Sequence, residues 1–423
     1  MKKERAILKS PPGVVIVGAG HAGGITALAL RSAGYSGRIT VVGSESYPPY
    51  ERPPLSKQFL FGSQKVESIY LRPESEYARL GIDLMLETSV TSIDRNGKLV
   101  CVGDKNSPRY DRLEYDSVVL ATGARPRPFD VPLEIANRLC YLRNIADVIS
   151  LRKRLRPGSR VLIVGAGFIG LEIAASASEA GCHVEVLENQ EYPLARVLPK
   201  EIAAVFTTLH SSKGVAISLS AIVSSIQYID GAFVVVTKSG ERHTADEIVV
   251  GIGVRPNVEL AEEAGLVVDD GVITDEFGRS SDPNIFAVGD VSRRFDPFLG
   301  RHVRFETWQN AQNQAIRVAR SVMGFRERYI EVPWVWTDQF DVNFQLAGDP
   351  TLGESIVWRG NPGQKGSVAF LLKDTIMVAG CTFNNAREMK TIKQLISARA
   401  VLDPKQLADP TYKLAETLQG RTS

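Results

Sequence analysis

The sequence contains few cysteines, and their spacing argues against two kinds of site. Among its 423 residues there are four cysteines, and none of them forms a CxxC pair or joins histidines at metal-ligand spacing. A disulfide framework and a bound metal are therefore not expected. Free thiols that simply pack in a core are typical of a reducing compartment. The four are Cys101, Cys140, Cys182 and Cys381.

A strong charge bias and long apolar runs are lacking as well. Lys and Arg number 50 against 48 Asp and Glu, a formal net charge of +2, so no general attraction to nucleic acid or to a membrane surface is expected. No segment approaches the roughly 20 apolar residues of a membrane span, and the early run VVIV is too short for a signal peptide. We expect a cytoplasmic protein of about two to four domains.

The sequence does contain one nucleotide-binding pattern twice. VVIVGAGHAGG begins at Val14 and VLIVGAGFIGL begins at Val161. Each copy has an apolar run typical of a buried parallel strand, then GxGxxG, an Ala-rich helical pattern and a second apolar strand. In each copy the first glycine makes a tight turn, the second lets the backbone approach a pyrophosphate, and the third lets the helix lie close to the strand. In that order they are Gly18, Gly20 and Gly23, and Gly165, Gly167 and Gly170.

An acidic residue follows the second strand of each copy. Glu45 and Glu188 stand about 20 residues beyond the third glycine, the distance at which a carboxylate meets an adenosine ribose. Glu45 could instead be an ordinary loop acid, because Gly43 and Ser44 separate it from the strand. Glu188 would repel a 2′-phosphate, so NADH is favoured over NADPH, although the nearby Arg196 leaves that choice less strict.

Two dinucleotide sites in one chain indicate FAD together with NADH. A third signal supports this interpretation, since the apolar strand of SSDPNIFAVGD ends at Gly289 and Asp290, where an acid can bind a ribityl hydroxyl or approach the pyrophosphate. LATGARPRP from Leu120 and GIGVRPN from Gly251 each end a strand with small residues, and we expect the chain to cross between domains there.

The stretch PPYERPPLSK, residues 48 to 57, is unusually rich in proline. The prolines restrict the backbone and exclude a helix until Ser56, which can cap one, so we expect Lys57 to be held at a defined place. The alternative is a surface linker with an exposed lysine.

These motifs, with YLR at 70–72 and PWVWTDQF at 333–340, resemble the NADH-dependent ferredoxin reductases of bacterial oxygenase systems, the putidaredoxin reductase and biphenyl dioxygenase reductase type. That family belongs to the glutathione reductase-like flavoproteins. The resemblance implies an α/β fold with two Rossmann-like domains, for FAD and NAD, and a C-terminal α+β domain. The implied boundaries are 1–125 with 256–331 for FAD, 126–255 for NAD and 332–423 for the last domain.

The resemblance also implies roles for individual residues. Lys57 would lie beside the flavin and pair with Glu172, in place of the redox-active cysteine pair of the disulfide reductases. Trp336 would lie near the exposed flavin edge, although PWVW could also be a plain core strand. The cofactor-binding candidates, besides the six glycines, are Ala19, Ala22, Glu45, Arg52, Lys57, Val90, Ala121, Thr122, Gly123, Arg143, Gly289, Asp290, Trp308, Phe168, Ile169, Glu188, Gly253 and Trp336.

The predicted function is electron transfer from NADH through FAD to a [2Fe-2S] ferredoxin that feeds a cytochrome P450 or a ring dioxygenase. Basic groups that dock the ferredoxin are predicted at Arg317, Lys390 and Lys393. One alternative is an NADH oxidase, disfavoured because it would use a cysteine near residue 50. Another alternative is a redox-responsive protein resembling apoptosis-inducing factor, for which basic runs in the sequence would be expected. The short basic run RKRLR from Arg152 is interpreted instead as a solvated helix face.

Overall fold

The computed structural model describes residues 13–62, 64–103, 111–297, 299–327 and 331–419. The chain divides into two compact units. The first comprises residues 1–52, 65–125 and 254–331, and the second comprises 53–64, 126–253 and 332–423. The boundaries at 125/126 and 253/254 fall inside the two stretches that were expected to carry the chain between domains. The finer three-domain division stays a prediction.

The strands, in chain order, are β1 Gly13–Val17, β2 Arg38–Val42, β3 Ile82–Met85, β4 Ser89–Asp94, β5 Leu99–Gly103, β6 Asp111–Glu114, β7 Ser117–Leu120, β8 Ala124–Pro126, β9 Arg160–Val164, β10 His183–Leu187, β11 Ala216–Ser218, β12 Val223–Ile229, β13 Ala232–Thr237, β14 Arg242–Ala245, β15 Glu247–Val250, β16 Val254–Pro256, β17 Val272–Thr274, β18 Ile285–Ala287, β19 Ser292–Asp296, β20 Arg301–Val303, β21 Trp334–Gln339, β22 Val342–Gly348, β23 Ser355–Arg359, β24 Val368–Lys373 and β25 Ile376–Phe383. The helices are α1 His21–Ser32, α2 Gln58–Phe61, α3 Glu74–Arg79, α4 Leu133–Ala136, α5 Ile145–Arg154, α6 Phe168–Glu179, α7 Lys200–Ser212, α8 Glu259–Glu263, α9 Trp308–Val322, α10 Ala386–Ser397, α11 Pro404–Ala408 and α12 Glu416–Gln419.

The first unit is built on a parallel sheet of five strands in the order β18-β7-β1-β2-β3. All of its strands except β3 are nearly continuous buried apolar runs, as expected for a parallel sheet that is covered on both faces. β1 pairs with β2 along one edge and with β7 along the other, and both pairings are parallel. The crevice at the carboxyl ends of β1 and β7 is therefore the topological switch point, where ligands of such sheets bind.

The second unit repeats this plan and adds a different sheet. Four parallel strands in the order β11-β10-β9-β15 place a second switch point at the ends of β9 and β15. The C-terminal part is an antiparallel sheet of five strands in the order β21-β22-β25-β24-β23, packed against α10. Both predicted Rossmann-like domains and the C-terminal α+β domain are confirmed.

The third glycine of each motif is required by packing, whereas the second is not. A Cβ on Gly170 would lie 2.1 Å from the carbonyl oxygen of Gly165, and a Cβ on Gly23 would lie 1.9 Å from that of Gly18. A Cβ on Gly167 would meet nothing nearer than the Gly251 carbonyl oxygen at 4.0 Å. Since the fold leaves this space free, a ligand is the better reason for glycine there.

We therefore predict opposite results for two alanine substitutions in one loop. Gly170→Ala should lower the free energy of unfolding by about 3 kcal/mol, because a backbone oxygen must move to admit the methyl group. Gly167→Ala should change it by about 1 kcal/mol or less, since the residue has extended backbone at the start of α6. Urea unfolding of both variants checks this, and equal midpoints would contradict the packing argument.

Candidate functional site

The segment that carries Lys57 belongs to the second unit and is held there by an arginine. Arg152 on α5 donates from Nε to the Leu60 carbonyl at 2.8 Å and also donates to the Phe59 carbonyl. Its guanidinium carbon lies 4.7 Å from the centroid of the Phe59 ring. The interpretation of RKRLR as a solvated helix face is therefore wrong for Arg152, which fixes α2 against α5.

The prediction for Ser56 is also wrong. Residues Pro53–Ser56 form a 3₁₀ turn, which suits the backbone angle that proline imposes, and α2 then begins after Lys57 without a side-chain cap. The Ser56 hydroxyl donates instead to the carboxylate of Glu172. A tertiary partner replaces the local cap.

Lys57 and Glu172 form a largely buried ion pair. The Lys57 Nζ lies 2.7 Å from Oε1 of Glu172, with the two side chains 15% and 3% exposed. The same Oε1 accepts a hydrogen bond of 2.6 Å from the Thr337 hydroxyl on β21, while Ser56 donates to Oε2. Three donors thus converge on one carboxylate, so its burial leaves neither oxygen without a partner. The pairing is present in the structure, and its position beside a flavin stays a prediction.

Two stacked indoles lie beside this pair. Trp336 and Trp334 are on β21, half-buried, with ring centroids 5.0 Å apart. The Lys57 Nζ is 5.9 Å from the Trp336 centroid, and the Nζ of Lys393 on α10 is 4.4 Å from the Trp334 centroid. The tryptophans of PWVW therefore lie on a half-buried strand, and Trp336 is the one beside the predicted catalytic lysine. Its place near a flavin edge stays a prediction.

In the first unit, the glycine loop after β1 has the geometry of a phosphate cradle. Gly18 has φ of +115° and approaches the Ala121 carbonyl so closely that a Cβ would lie 2.3 Å from its oxygen. The nearest atom to a Cβ on Gly20 would be Nη2 of Arg52, at 3.6 Å. Free backbone N–H groups at the start of α1 and a guanidinium beside them suit a pyrophosphate, so the residues fit FAD.

Glu45 and Arg52 are paired with each other at this loop. Arg52 donates to Oε1 of Glu45 at 2.8 Å, and the hydroxyl of Tyr50 donates to Oε2 at 2.6 Å. The Glu45 carboxylate is thus held by two side-chain hydrogen bonds, unlike that of an unpaired loop acid. Whether it also accepts a ribose hydroxyl stays a prediction.

A cluster of amides and aromatic rings supports the same loop. The backbone N–H of Gly289 donates to Oε1 of Gln314 on α9 at 2.9 Å. His21 bonds Gln312 at 2.8 Å, and its ring centroid is 5.3 Å from that of Trp308. Burial lowers the pKa of His21 to about 4, so the imidazole is neutral at pH 7. The glutamines were missed from sequence, because an amide on an amphipathic helix looks like surface.

The glycine loop of the second unit is closed by an acidic side chain. Glu188, which is 8% exposed, accepts from the backbone N–H of Ala166 at 2.6 Å and from that of Gln190 at 2.9 Å. Each oxygen keeps a lone pair for a further donor, as a ribose diol requires. Gly253 has φ of +101°, and its position is lined by the exposed guanidinium of Arg196. The residues fit a dinucleotide.

The remaining cofactor candidates have various surroundings. Val90 is buried within the antiparallel pair of β4 and β5. Arg143 belongs to the second unit, where its backbone N–H donates to Asp147. Lys57 and Trp336 belong to the second unit as well, and the other FAD candidates belong to the first. The candidates that line the loops are Ala19, Ala22, Thr122, Gly123 and Asp290 in the first unit, and Phe168 and Ile169 in the second.

Metal and thiol chemistry find no support in the described residues. No group of three His, Cys, Asp or Glu side chains in that part of the chain is placed to hold a metal ion. All four cysteines are free. Within the described ranges no helix has the length and apolar character needed to cross a membrane.

Comparison with known proteins places the chain in a family. Residues 12–315 match the pyridine nucleotide-disulphide oxidoreductase model, and residues 334–418 match the reductase C-terminal model. The chain belongs to the pyridine nucleotide-disulphide oxidoreductase family.

Several relatives match over almost their whole length. The ferredoxin–NAD(+) reductase component of the anthranilate 1,2-dioxygenase system of Burkholderia cepacia is 41% identical, over 95% of this chain and 98% of that protein. Putidaredoxin reductase of Pseudomonas putida is 36% identical over 96% of each. The crystal structure of the covalent putidaredoxin reductase–putidaredoxin complex matches with a TM-score of 0.92 and 35% identity, covering 98% of this chain and 100% of that one.

The buried ion pair generates a stability prediction. Glu172→Gln should lower the free energy of unfolding by about 3 kcal/mol, because it leaves the Lys57 ammonium largely buried without its counter-ion. Adding Lys57→Met to that variant should recover much of the loss. Chemical denaturation measures both.

A matched control is available in the same unit. Glu354 pairs with Lys373 at 3.6 Å, but both side chains are more than half exposed. Glu354→Gln should therefore cost about 1 kcal/mol or less. Equal losses for Glu172→Gln and Glu354→Gln would mean that burial of the first pair has no energetic consequence.

Proposed function

We propose that this chain transfers electrons from NADH, through bound FAD, to a [2Fe-2S] ferredoxin that feeds an oxygenase. The observation that carries the proposal is the Lys57–Glu172 pair, whose lysine stands in the segment where the resemblance places a cysteine pair in disulfide reductases. Relatives at 41% and 36% identity are named as a ferredoxin–NAD(+) reductase and as putidaredoxin reductase, which supports the same acceptor class. Free cysteines agree with a cytoplasmic location.

The cysteines that the chain does possess are unsuited to carry electrons. Burial raises the pKa of the Cys140 thiol to about 12, and burial also raises the pKa of Cys182 and of Cys381. A thiol must ionise to attack a disulfide, so these three are inert at pH 7. Cys101 lies on β5, 44 residues along the chain from Lys57, with no second cysteine near it in sequence. The cysteines of this chain therefore give no support to a thiol relay.

The protein's own contribution is to bind, orient and stabilise charge. When bound, FAD supplies the chemistry that accepts a hydride from NADH and releases electrons singly. Glu188 would orient NADH through its ribose, and the glycine loops would hold the two pyrophosphates. Lys57, held in place by its ion pair with Glu172, would stabilise negative charge that develops beside it. None of these tasks requires a nucleophile.

The decisive test is the dependence of electron transfer on ferredoxin. The purified protein should be yellow, and its NADH–cytochrome c reductase activity should rise at least about tenfold when a [2Fe-2S] ferredoxin is added. Activity that ignores ferredoxin, together with water or peroxide formation from oxygen, would favour an oxidase. A colourless protein that FAD cannot reconstitute would overturn the proposal.

Glu188 generates a prediction about the nicotinamide cofactor. Glu188→Ala should weaken the use of NADH about ten- to a hundredfold, because a hydrogen bond to a charged group contributes roughly 1.5–3 kcal/mol. The use of NADPH should change far less, since the carboxylate disfavours its phosphate. Steady-state kcat/KM with each cofactor measures this, and a wild type that already prefers NADPH would contradict the assignment.

The basic residues predicted to dock a ferredoxin differ in their surroundings. Lys390 on α10 is exposed, whereas Lys393 lies over Trp334 and has a packing role besides its charge. Arg317 belongs to the first unit and pairs with Glu327 at 2.7 Å, which offsets its charge. Lys390 is thus the most suitable residue for a test of docking alone.

Lys390→Glu should slow ferredoxin reduction several-fold at low salt and less at high salt, because an acidic partner would be repelled during encounter. Reduction of ferricyanide by NADH should be unchanged, since a small acceptor needs no docking surface. Lys365→Glu, an equal change of charge at another exposed lysine of the C-terminal part, is the control. If both variants slow ferredoxin reduction equally, only net charge matters and Lys390 is not a docking residue.

A further inference from the structure

A line of buried polar side chains runs away from Glu172 through the C-terminal sheet. Thr337 and Gln339 alternate along β21, so they share one face, and they are 0% and 1% exposed. His210 in the last turn of α7 is 0% exposed, and its ring lies edge-on to Phe340 with centroids 5.1 Å apart. The side chains that connect α7 with β21 here are all uncharged.

The hydrogen bonds of this line connect without a gap. His210 Nε2 and Gln339 Oε1 are 2.8 Å apart, Gln339 Nε2 donates to the Thr337 hydroxyl at 3.1 Å, and Thr337 donates to Glu172 Oε1 at 2.6 Å. We refer to His210, Gln339 and Thr337 as the β21 relay. Burying four polar groups is favourable only when they satisfy one another.

Every bond of the β21 relay donates towards Glu172. A carbonyl oxygen can only accept, so the imidazole must carry its proton on Nε2, where it faces Gln339. Burial lowers the pKa of His210, which keeps the ring neutral. Its Nδ1 is then an unprotonated acceptor and has no hydrogen-bond partner among the described residues. The Glu172 carboxylate receives the donors of Thr337 and Lys57 at Oε1 and that of Ser56 at Oε2.

We propose that the β21 relay consists of positioning residues which hold the Glu172 carboxylate oriented towards Lys57. Its effect on electron transfer rests on the proposed function, whereas its effect on Glu172 does not. Lys57 is the cation facing the carboxylate. Of the charged residues on the strands packed against α6, Arg160 pairs with Asp246, Glu185 pairs with His243, and Asp338 accepts a hydrogen bond from Asn343. The orientation of the Glu172 carboxylate is therefore set by Lys57 and by the uncharged donors.

Thr337→Val tests the relay, because it removes the hydroxyl and keeps the volume. The frequency of the infrared carboxylate band of Glu172, identified by its loss in Glu172→Gln, should shift in Thr337→Val, because the carboxylate loses the hydrogen bond from the Thr337 hydroxyl. Thr337→Ser should restore the wild-type value. Reduction of the bound cofactor by NADH should fall about tenfold in kcat with little change in KM.

Thr382 provides the matched control. It is a second fully buried threonine of the same sheet, on β25, whose hydroxyl has no hydrogen-bond partner in the described part of the chain. Thr382→Val should leave the Glu172 band where it is in the wild type. Nitrogen-15 NMR of His210 in the full chain should show a proton on Nε2 and not on Nδ1.

Three results would overturn the proposal. They are an unshifted Glu172 band in Thr337→Val, a failure of Thr337→Ser to restore it, and a His210 proton on Nδ1, which would reverse the direction of the relay. Failure of the proposed function looks different: the wild type would not reduce ferredoxin, while the infrared and NMR measurements would still decide the role of the relay.

Discussion

The charge of Glu172 is the constraint on which the second unit depends. A carboxylate that is 3% exposed must receive hydrogen bonds and a counter-ion, because a buried charge without them is costly. Its partners come from separate parts of the chain, with Ser56 and Lys57 in the segment 53–64 and Thr337 in the segment 332–423. Satisfying this single group therefore requires residues 53–64, 126–253 and 332–423 to pack together, which is how the second unit is composed.

The two glycine motifs illustrate how packing and ligand binding can be separated. In both copies the first and third glycines are crowded by backbone atoms, so the fold alone explains them. Gly20 and Gly167 have open space around the position of a Cβ, and neither has a positive φ. Nothing within the fold requires glycine at these two positions. An extended ligand that lies on the backbone does, and this makes the second glycine the more informative residue about function.

Sequence patterns predicted the repeated units because their signals are local and periodic: buried parallel strands of Val and Ile, glycines at fixed spacing and Ala-rich helices. The pairing of Lys57 with Glu172 followed only from the family resemblance, since 115 residues separate them. Ser56 and Arg152 were predicted wrongly because local rules, for a cap and for a basic helix face, were overridden by tertiary partners. Thr337, Gln339 and His210 were not recognised, because uncharged polar residues in a strand or helix give no indication of a distant carboxylate.

The chemistry of the β21 relay also explains why its members are neutral. An arginine in place of Thr337 would satisfy Glu172 equally well, but it would share the charge of the carboxylate with Lys57 and weaken the hold on the ammonium. Hydroxyl and amide donors stabilise the ionised carboxylate without supplying a competing cation. The full negative charge then remains available to Lys57. A lysine placed to stabilise developing negative charge is then held by a counter-ion that binds no other cation.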